Sequence, residues 1–202
     1  MTTIVGVKTP NHVVIGSDTL LTQGDTLLPE RYILSHKIYR VGDSCVGLSG
    51  TVSHYTALIQ ALREMDSECD LFGYEAIFKT FIKVHKKLKD EFFLNPKKQS
   101  DDPYEGNHIS AMVANGSGIF GVYAHREVME FDKFWANGSG RGYALGAMYN
   151  AWGPDANEKT PDAMKVAKCG LNAGIEFDRA SGGTQRLFRF KAGVAGPPQE
   201  FT

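Results

Sequence analysis

The sequence predicts an α+β fold, a four-layer αββα sandwich of two antiparallel sheets flanked by helix pairs. Three observations predict it. Element signals follow the order strands, two helices, strands, two helices, strand. The opening strand-like runs are apolar at nearly every position rather than alternating, as strands covered on both faces are. Each half of the chain supplies one sheet and one helix pair. Two sheets packed face to face with helices outside would bury every strand on both faces. The 202 residues read as a single domain, 1–202, large enough to bury roughly 70% of its unfolded surface without a disulfide or metal.

The elements can be justified in chain order. Residues 3–8 and 12–18 are β-rich runs separated by Thr9-Pro10-Asn11, a tight turn, and make an opening hairpin. Residues 19–36 show no clean period, contain Gly24 and Pro29, and read as a long connection. A second hairpin joins 37–41 to 44–49 through Gly42-Asp43 and runs into a helix start at Gly50-Thr51. Tyr55, Leu58, Ile59, Leu62 and Met65 fall on one face of that helix. Ile77, Phe81, Val84, Leu88 and Phe92 form the stripe of the next, with Lys83, Lys86, Lys87 and Lys89 mostly off it as a solvated face. Residues 94–107 read as a polar surface loop. Strands follow at 109–114, 119–123 and 127–131, then the Gly-rich 137–142 leads into a helix with Leu145, Met148, Tyr149 and Trp152 on one face. Thr160-Pro161-Asp162 opens a helix that ends near Asp178, with Thr160 as cap, Pro161 in the first turn and Asp162 favourable to the macrodipole. Residues 185–191 form a last strand.

Composition removes several functional classes. The net charge of −1 offers neither a nucleic-acid footprint nor a polybasic membrane patch. No apolar run approaches the length of a membrane span, and no basic flank precedes an apolar leader. Cys45, Cys69 and Cys169 are odd in number and widely spaced, and read as reduced thiols. The six histidines lack zinc or catalytic spacing. These features predict a cytoplasmic protein that needs no metal and no cofactor.

Chemistry is concentrated at the start of the chain. Thr2 follows the initiator methionine, which aminopeptidases generally remove before so small a residue. Thr2 would then carry a hydroxyl and a free α-amine on adjacent atoms. Such an amine titrates near pH ~8 in model peptides, so it can take the hydroxyl proton directly or through one water. Taken singly, the other polar positions read blandly: Asp18 as a turn residue, Lys37 as a surface lysine, Asp178–Gly183 as a helix exit. Gly138–Gly142 lacks the Lys-Ser/Thr ending of a phosphate-binding loop and follows no clean Rossmann strand.

Taken together, the motifs resemble a known family. Thr2-Thr3-Ile4-Val5-Gly6-Val7, Gly16-Ser17-Asp18, Thr22-Gln23-Gly24, Lys37-Ile38-Tyr39, Leu48-Ser49-Gly50, Gly138 to Ala144, and Asp178-Arg179-Ala180-Ser181-Gly182-Gly183 occur in family order. By them the chain resembles proteasome β-type subunits of the N-terminal nucleophile hydrolase superfamily. It is similar to the bacterial HslV peptidase and to the beta-proteobacterial proteasome homologue. The Asp-x-x-Ser-Gly-Gly near the end leans toward proteasome β subunits rather than HslV.

The resemblance implies a threonine endopeptidase working through an acyl-enzyme. Thr2 is implied as nucleophile and base. Lys37 is implied beside its hydroxyl, lowering the amine and hydroxyl pKa values, with Asp18 holding Lys37 charged and oriented. The Gly50 amide is implied as oxyanion donor, and a strand-to-helix junction suits that role physically. Ser139, Asp178 and Ser181 are implied to hold the amine and relay its proton. Thr22 is implied to bind an extended peptide through its backbone, and Leu21 and Leu48 are candidates for an apolar specificity pocket.

Two features depart from the family pattern. The interval from Asp18 to Lys37 is longer than usual, and the 94–107 loop looks enlarged. Lys37 is nonetheless the sole lysine in its interval, where Arg31 is the other cation and does not shed a proton. The implied assembly is a homo-oligomer of stacked rings, two heptamers favoured over two hexamers, acting on peptides or unfolded proteins, with an ATP-dependent unfoldase as a candidate partner. Two other readings compete: a ring-forming structural homologue with little or no peptidase activity, and a smaller amidase of the same superfamily.

Overall fold

The structure is a computed structural model that describes residues 2–33, 36–50, 52–95, 109–124, 127–153 and 160–202, without the side chains of 52 and 53. The first hairpin joins β1 (Thr3–Lys8) to β2 (His12–Asp18). A small second hairpin, β3 (Leu21–Gln23) and β4 (Thr26–Leu28), precedes β5 (Ile38–Val41) and β6 (Ser44–Leu48). Helices α1 (Val52–Glu64) and α2 (Tyr74–Asp90) follow. The second half runs β7 (Ala111–Asn115), β8 (Gly118–Val122), β9 (Val128–Phe131), β10 (Phe134–Gly138), α3 (Arg141–Trp152), α4 (Ala163–Phe177), β11 (Gln185–Lys191) and β12 (Gln199–Phe201).

Two antiparallel five-stranded sheets result, ordered β10-β1-β2-β11-β12 and β5-β6-β7-β8-β9. Successive strand residues point to opposite faces, so each strand feeds two cores. On β1, Ile4 joins Ile15, Cys45, Met112 and Phe188 between the sheets, whereas Val5 and Val7 join Val166, Ala167 and Leu171 beneath α3 and α4. On β6, Val46 and Leu48 pack with Leu58, Leu62, Ile77 and Phe81 beneath α1 and α2. This double burial is the physical reason for the continuous apolar runs. Each fully buried Leu or Phe contributes about 1.5–3 kcal/mol. Gly47 lets the sheets approach, since a Cβ there would lie 3.1 Å from Ile4 Cγ2. The predicted αββα sandwich is the observed fold.

Several element assignments are corrected. The 19–36 connection holds the β3–β4 hairpin, whose short strands pair, among the described residues, only with each other and turn at Gly24, φ +56. A strand absent from the sequence reading, β10, takes in the first two residues of the Gly-rich 137–142: Asn137 and Gly138 end it, and it pairs with β1 from the register Thr3 to Gly138. The short edge strand β12 pairs with β11 over three positions, too few to give a readable period. Tyr149 is 59% exposed, so it lies off the buried face of α3 that Met148 occupies. The cap of α4 is Asp162 rather than Thr160, because its carboxylate accepts from the amides of Met164 and Lys165. Met65 and Phe92 lie just beyond α1 and α2. Off the α2 stripe, Lys83 pairs with Glu68, Lys86 with Asp90, and Lys87 with Glu64 and Glu91. Most of the 94–107 loop, together with Thr51, His108 and His125, lies outside the described residues. All three cysteines are free. No described helix is long and apolar enough to cross a membrane.

Candidate active site

Strand β1 lies between β10 and β2, and its register determines what gathers at its first residues. Thr3 pairs with Gly138 and Ile4 with Ser17. In an antiparallel ladder the neighbouring positions bring Ser139 beside Thr2 and Asp18 beside Thr3. Gly138 makes this approach feasible. Its φ is +95, and a Cβ there would lie 1.9 Å from the Thr2 carbonyl oxygen. The Gly140 amide closes the turn by donating to that carbonyl at 3.4 Å.

One side of the site is a dry ion pair. Lys37 Nζ lies 2.8 Å from each Asp18 carboxylate oxygen, and the two side chains are 1% and 0% exposed. The Asp18 carboxylate also accepts from the Thr3 amide at 2.9 Å and the Gly182 amide at 2.9 Å. Four hydrogen bonds from three donor groups, Lys37 Nζ and the two amides, satisfy the buried charge. Burial pushes the Lys37 pKa below its ordinary value, opposed by the charge and hydrogen bonds of Asp18 and by the charge of Asp178. The long 19–36 connection therefore still delivers Lys37 to Asp18.

The other side is a relay of hydroxyls on one carboxylate. Ser139 Oγ donates to Asp178 Oδ2 at 2.6 Å, leaving its lone pairs to accept from Thr2 N at 3.2 Å. Ser181 Oγ donates to the same Oδ2 at 2.7 Å and lies 2.7 Å from Thr3 Oγ1. Asp178 caps the C-terminus of α4, and the Ser181 amide donates back to its carbonyl at 2.9 Å. In the chain as described Thr2 N is an amide; removal of Met1 would leave an α-amine at the same atom.

Gly50 sits at the junction of β6 and α1 with φ +126, and open space surrounds the position a Cβ would take. Tyr55 reaches this point from the first turns of α1. Its hydroxyl donates to the Gly50 carbonyl at 3.1 Å. Burial raises its pKa to about 12, so the phenol keeps its proton at any working pH.

The structure thus brings together Thr2, Asp18, Lys37, Gly50, Ser139, Asp178 and Ser181, and adds Thr3 and Tyr55. Thr22 is exposed on β3, and Leu21 beside it is 8% exposed. Leu48 is 2% exposed and packs in the core beneath α1 and α2. Thr3 and Tyr55 escaped the sequence reading because each lies in an apolar pattern. The available signal was a hydroxyl at a buried position, which must find a partner.

Paired antiparallel sheets between helix layers, with a threonine at the head of an inner strand, define the N-terminal nucleophile hydrolase sandwich. Residues 1–188 match the proteasome subunit family, and the chain belongs to that family as a β-type member. Among relatives, it is 28% identical to a proteasome subunit beta of Nanoarchaeum equitans, covering 90% of this chain and 89% of that one. It is 29% identical to proteasome subunit beta type-2 of Saccharomyces cerevisiae, covering 90% of this chain but 65% of the yeast subunit. Among solved structures, BPH of Thiobacillus denitrificans in complex with epoxomicin matches with TM-score 0.81 and 33% identity over 95% of this chain and 100% of that one. HslV of Trypanosoma brucei shares the fold, with TM-score 0.70 and 18% identity over 94% of this chain and 99% of that one.

Proposed function

We propose that the protein is a threonine endopeptidase in which Thr2, freed of Met1, supplies nucleophile and base. The observation that carries this reading is the Thr2 nitrogen held at 3.2 Å by Ser139, itself backed by Asp178, beside the buried Asp18–Lys37 pair. The α-amine takes the Thr2 hydroxyl proton while Oγ attacks the peptide carbonyl carbon. Lys37 favours the developing alkoxide by its charge, and Asp18 keeps that charge in place. The Gly50 amide donates to the oxyanion, a contact typically worth about 10²–10³ in rate. Collapse expels the leaving amine, which carries off the proton and leaves an ester on Thr2. Water, deprotonated by the same amine, then hydrolyses the ester and restores Thr2. Ser139, Asp178 and Ser181 orient the amine and accept hydrogen bonds from its protonated form.

Substrate enters as an extended peptide, adding along the chain near Thr22 through backbone hydrogen bonds, with Leu21 as its apolar neighbour. The working form is a cytoplasmic homo-oligomer of stacked heptameric rings that acts on peptides or unfolded proteins, with an ATP-dependent unfoldase as its partner. Likeness to a BPH structure solved with epoxomicin makes that threonine-directed epoxyketone the natural probe. Thr2→Ala should abolish both fluorogenic-peptide turnover and epoxomicin capture while assembly by size-exclusion chromatography is unchanged. Turnover that survives this substitution moves catalysis to another residue; an assembled but inert wild type makes the chain a structural ring subunit.

A further inference from the structure

The side-chain amide of Asn137 is buried between the sheets, and the threonine mechanism leaves it unused. Asn137 is 3% exposed on β10, where its register partner Ile4 belongs to the apolar cluster between the two sheets. An amide in such a place costs free energy unless both its ends are bonded, and here both are. Its Oδ1 accepts from the Tyr123 hydroxyl at 3.2 Å, and its Nδ2 donates to the Ala111 carbonyl of β7 at 3.3 Å. Tyr123 Oη in turn accepts from Trp135 Nε1 at 3.0 Å, and the Trp135 ring is stacked on Phe131 with centroids 4.7 Å apart. An indole N–H can only donate and a carbonyl can only accept, so the two ends of this chain fix the direction of every bond and the orientation of the amide. Gly121 makes room for it, since a Cβ there would lie 2.6 Å from Tyr123 Oη.

We infer that Asn137 is a positioning residue, a strut that holds the sheet carrying Thr2 at a fixed distance from the sheet carrying the Gly50 oxyanion donor. The proposal rests on the threonine-nucleophile reading and deepens it. At one end of the strut, Asn137 leads into Gly138, which packs against the Thr2 carbonyl, and then into Ser139, which accepts from Thr2 N at 3.2 Å. At the other end, Ala111 pairs with Leu48, and its neighbour Ser110 accepts from the Ser49 amide at 3.1 Å, one residue before Gly50. The sheet order gives this one bond its importance. β1 lies between β2 and β10, and β6 lies between β5 and β7. The Asp18–Lys37 ion pair links the end of β2 to the residue before β5, and Asn137 links β10 to β7. Thr2 and Gly50 sit at the ends of strands in different sheets, and apolar contact between sheets is non-directional. Directional bonds on both flanks convert that contact into a fixed separation, which attack on a carbonyl carbon demands.

The test uses Asn137→Ala and Tyr123→Phe, singly and together, in the assembled protein. Steady-state peptide turnover, the second-order rate of epoxomicin capture and the thermal midpoint are measured together, with rates normalised to the fraction of chains that finally capture epoxomicin. Asn137→Ala should lower kcat and the capture rate by about tenfold, with KM within about twofold of wild type. Tyr123→Phe keeps the ring and leaves Asn137 its bond to Ala111, so a loss of about threefold is expected. The double variant should lose no more than about twofold beyond Asn137→Ala, because both substitutions break one chain of bonds. Normalised rates within twofold of wild type in Asn137→Ala overturn the proposal, as does a lowered midpoint with unchanged rate per reactive chain, which describes a stabilising role alone. Losses that multiply in the double variant overturn it as well. Where Asn137→Ala does not assemble, Tyr123→Phe carries the test, and a normalised rate within twofold of wild type overturns the proposal. A wild type that captures no epoxomicin instead removes the threonine-nucleophile reading, and the role of Asn137 falls with it.

Discussion

The two sides of Thr2 are built from contrasting materials. Asp18 and Lys37 form an ion pair with almost no solvent contact, whose carboxylate accepts four hydrogen bonds. Opposite them, Ser139 is exposed, Asp178 is partly exposed, and the links are hydroxyls that can each reverse their proton direction. A buried ion pair is a poor investment for stability alone, because well-packed apolar residues would serve as well or better. Its value is a charge of fixed sign and position in a weakly screened place. A hydroxyl relay offers the reverse, little fixed charge but easy rearrangement as the amine gains and loses its proton. The contrast separates a side that sets charge from a side that handles a proton.

Breaking the dry side should have the largest effect. Lys37→Ala leaves the Asp18 carboxylate buried without its cation. Urea unfolding should show a loss of about 3–5 kcal/mol, and peptide turnover should fall about 10²–10⁴-fold. A mild loss of turnover would mean that another group supplies the charge. Breaking the wet side should cost less. Ser139→Ala removes one hydrogen bond to the Thr2 nitrogen from an exposed position, so kcat/KM should drop about 10–100-fold, corresponding to about 1.5–3 kcal/mol, with unfolding barely changed. An unfolding penalty as large as that of Lys37→Ala would erase the distinction.

The smallest effect is a shift in pH dependence. Lys37 is needed charged, and its pKa is lowered by burial, so its proton leaves at a lower pH than that of an ordinary lysine. Activity is therefore retained below the depressed pKa and lost as pH rises through it. The alkaline limb of kcat/KM should lie below 10.5, the unperturbed value. Asp18→Asn removes the attraction that opposes desolvation, so in the residual activity the limb should move lower still. A limb that stays in place would show that Lys37 does not set it.

Much of this site was legible in the sequence because its residues end regular elements. Asp18 closes a strand, Gly50 precedes a helix and Asp178 follows one, so motif order alone placed them. The two faces of β1 and β2 were legible from their unbroken apolar runs. β10 was missed because its last residues, Asn137 and Gly138, carry turn chemistry while they still pair with β1. Thr3 and Tyr55 were missed for a different reason. Thr3 sits in a strand pattern and Tyr55 in a helical stripe, and the pattern accounts for each residue without its hydroxyl. Only the fold shows that those hydroxyls meet Ser181 and Gly50.

The central claim, that Thr2 acts with a free amine, is tested most directly by intact mass of the protein from its own host before and after epoxomicin. The account predicts a chain one methionine short that gains a single epoxomicin, and no gain in Thr2→Ala. A chain that retains Met1 and takes up no epoxomicin would contradict it.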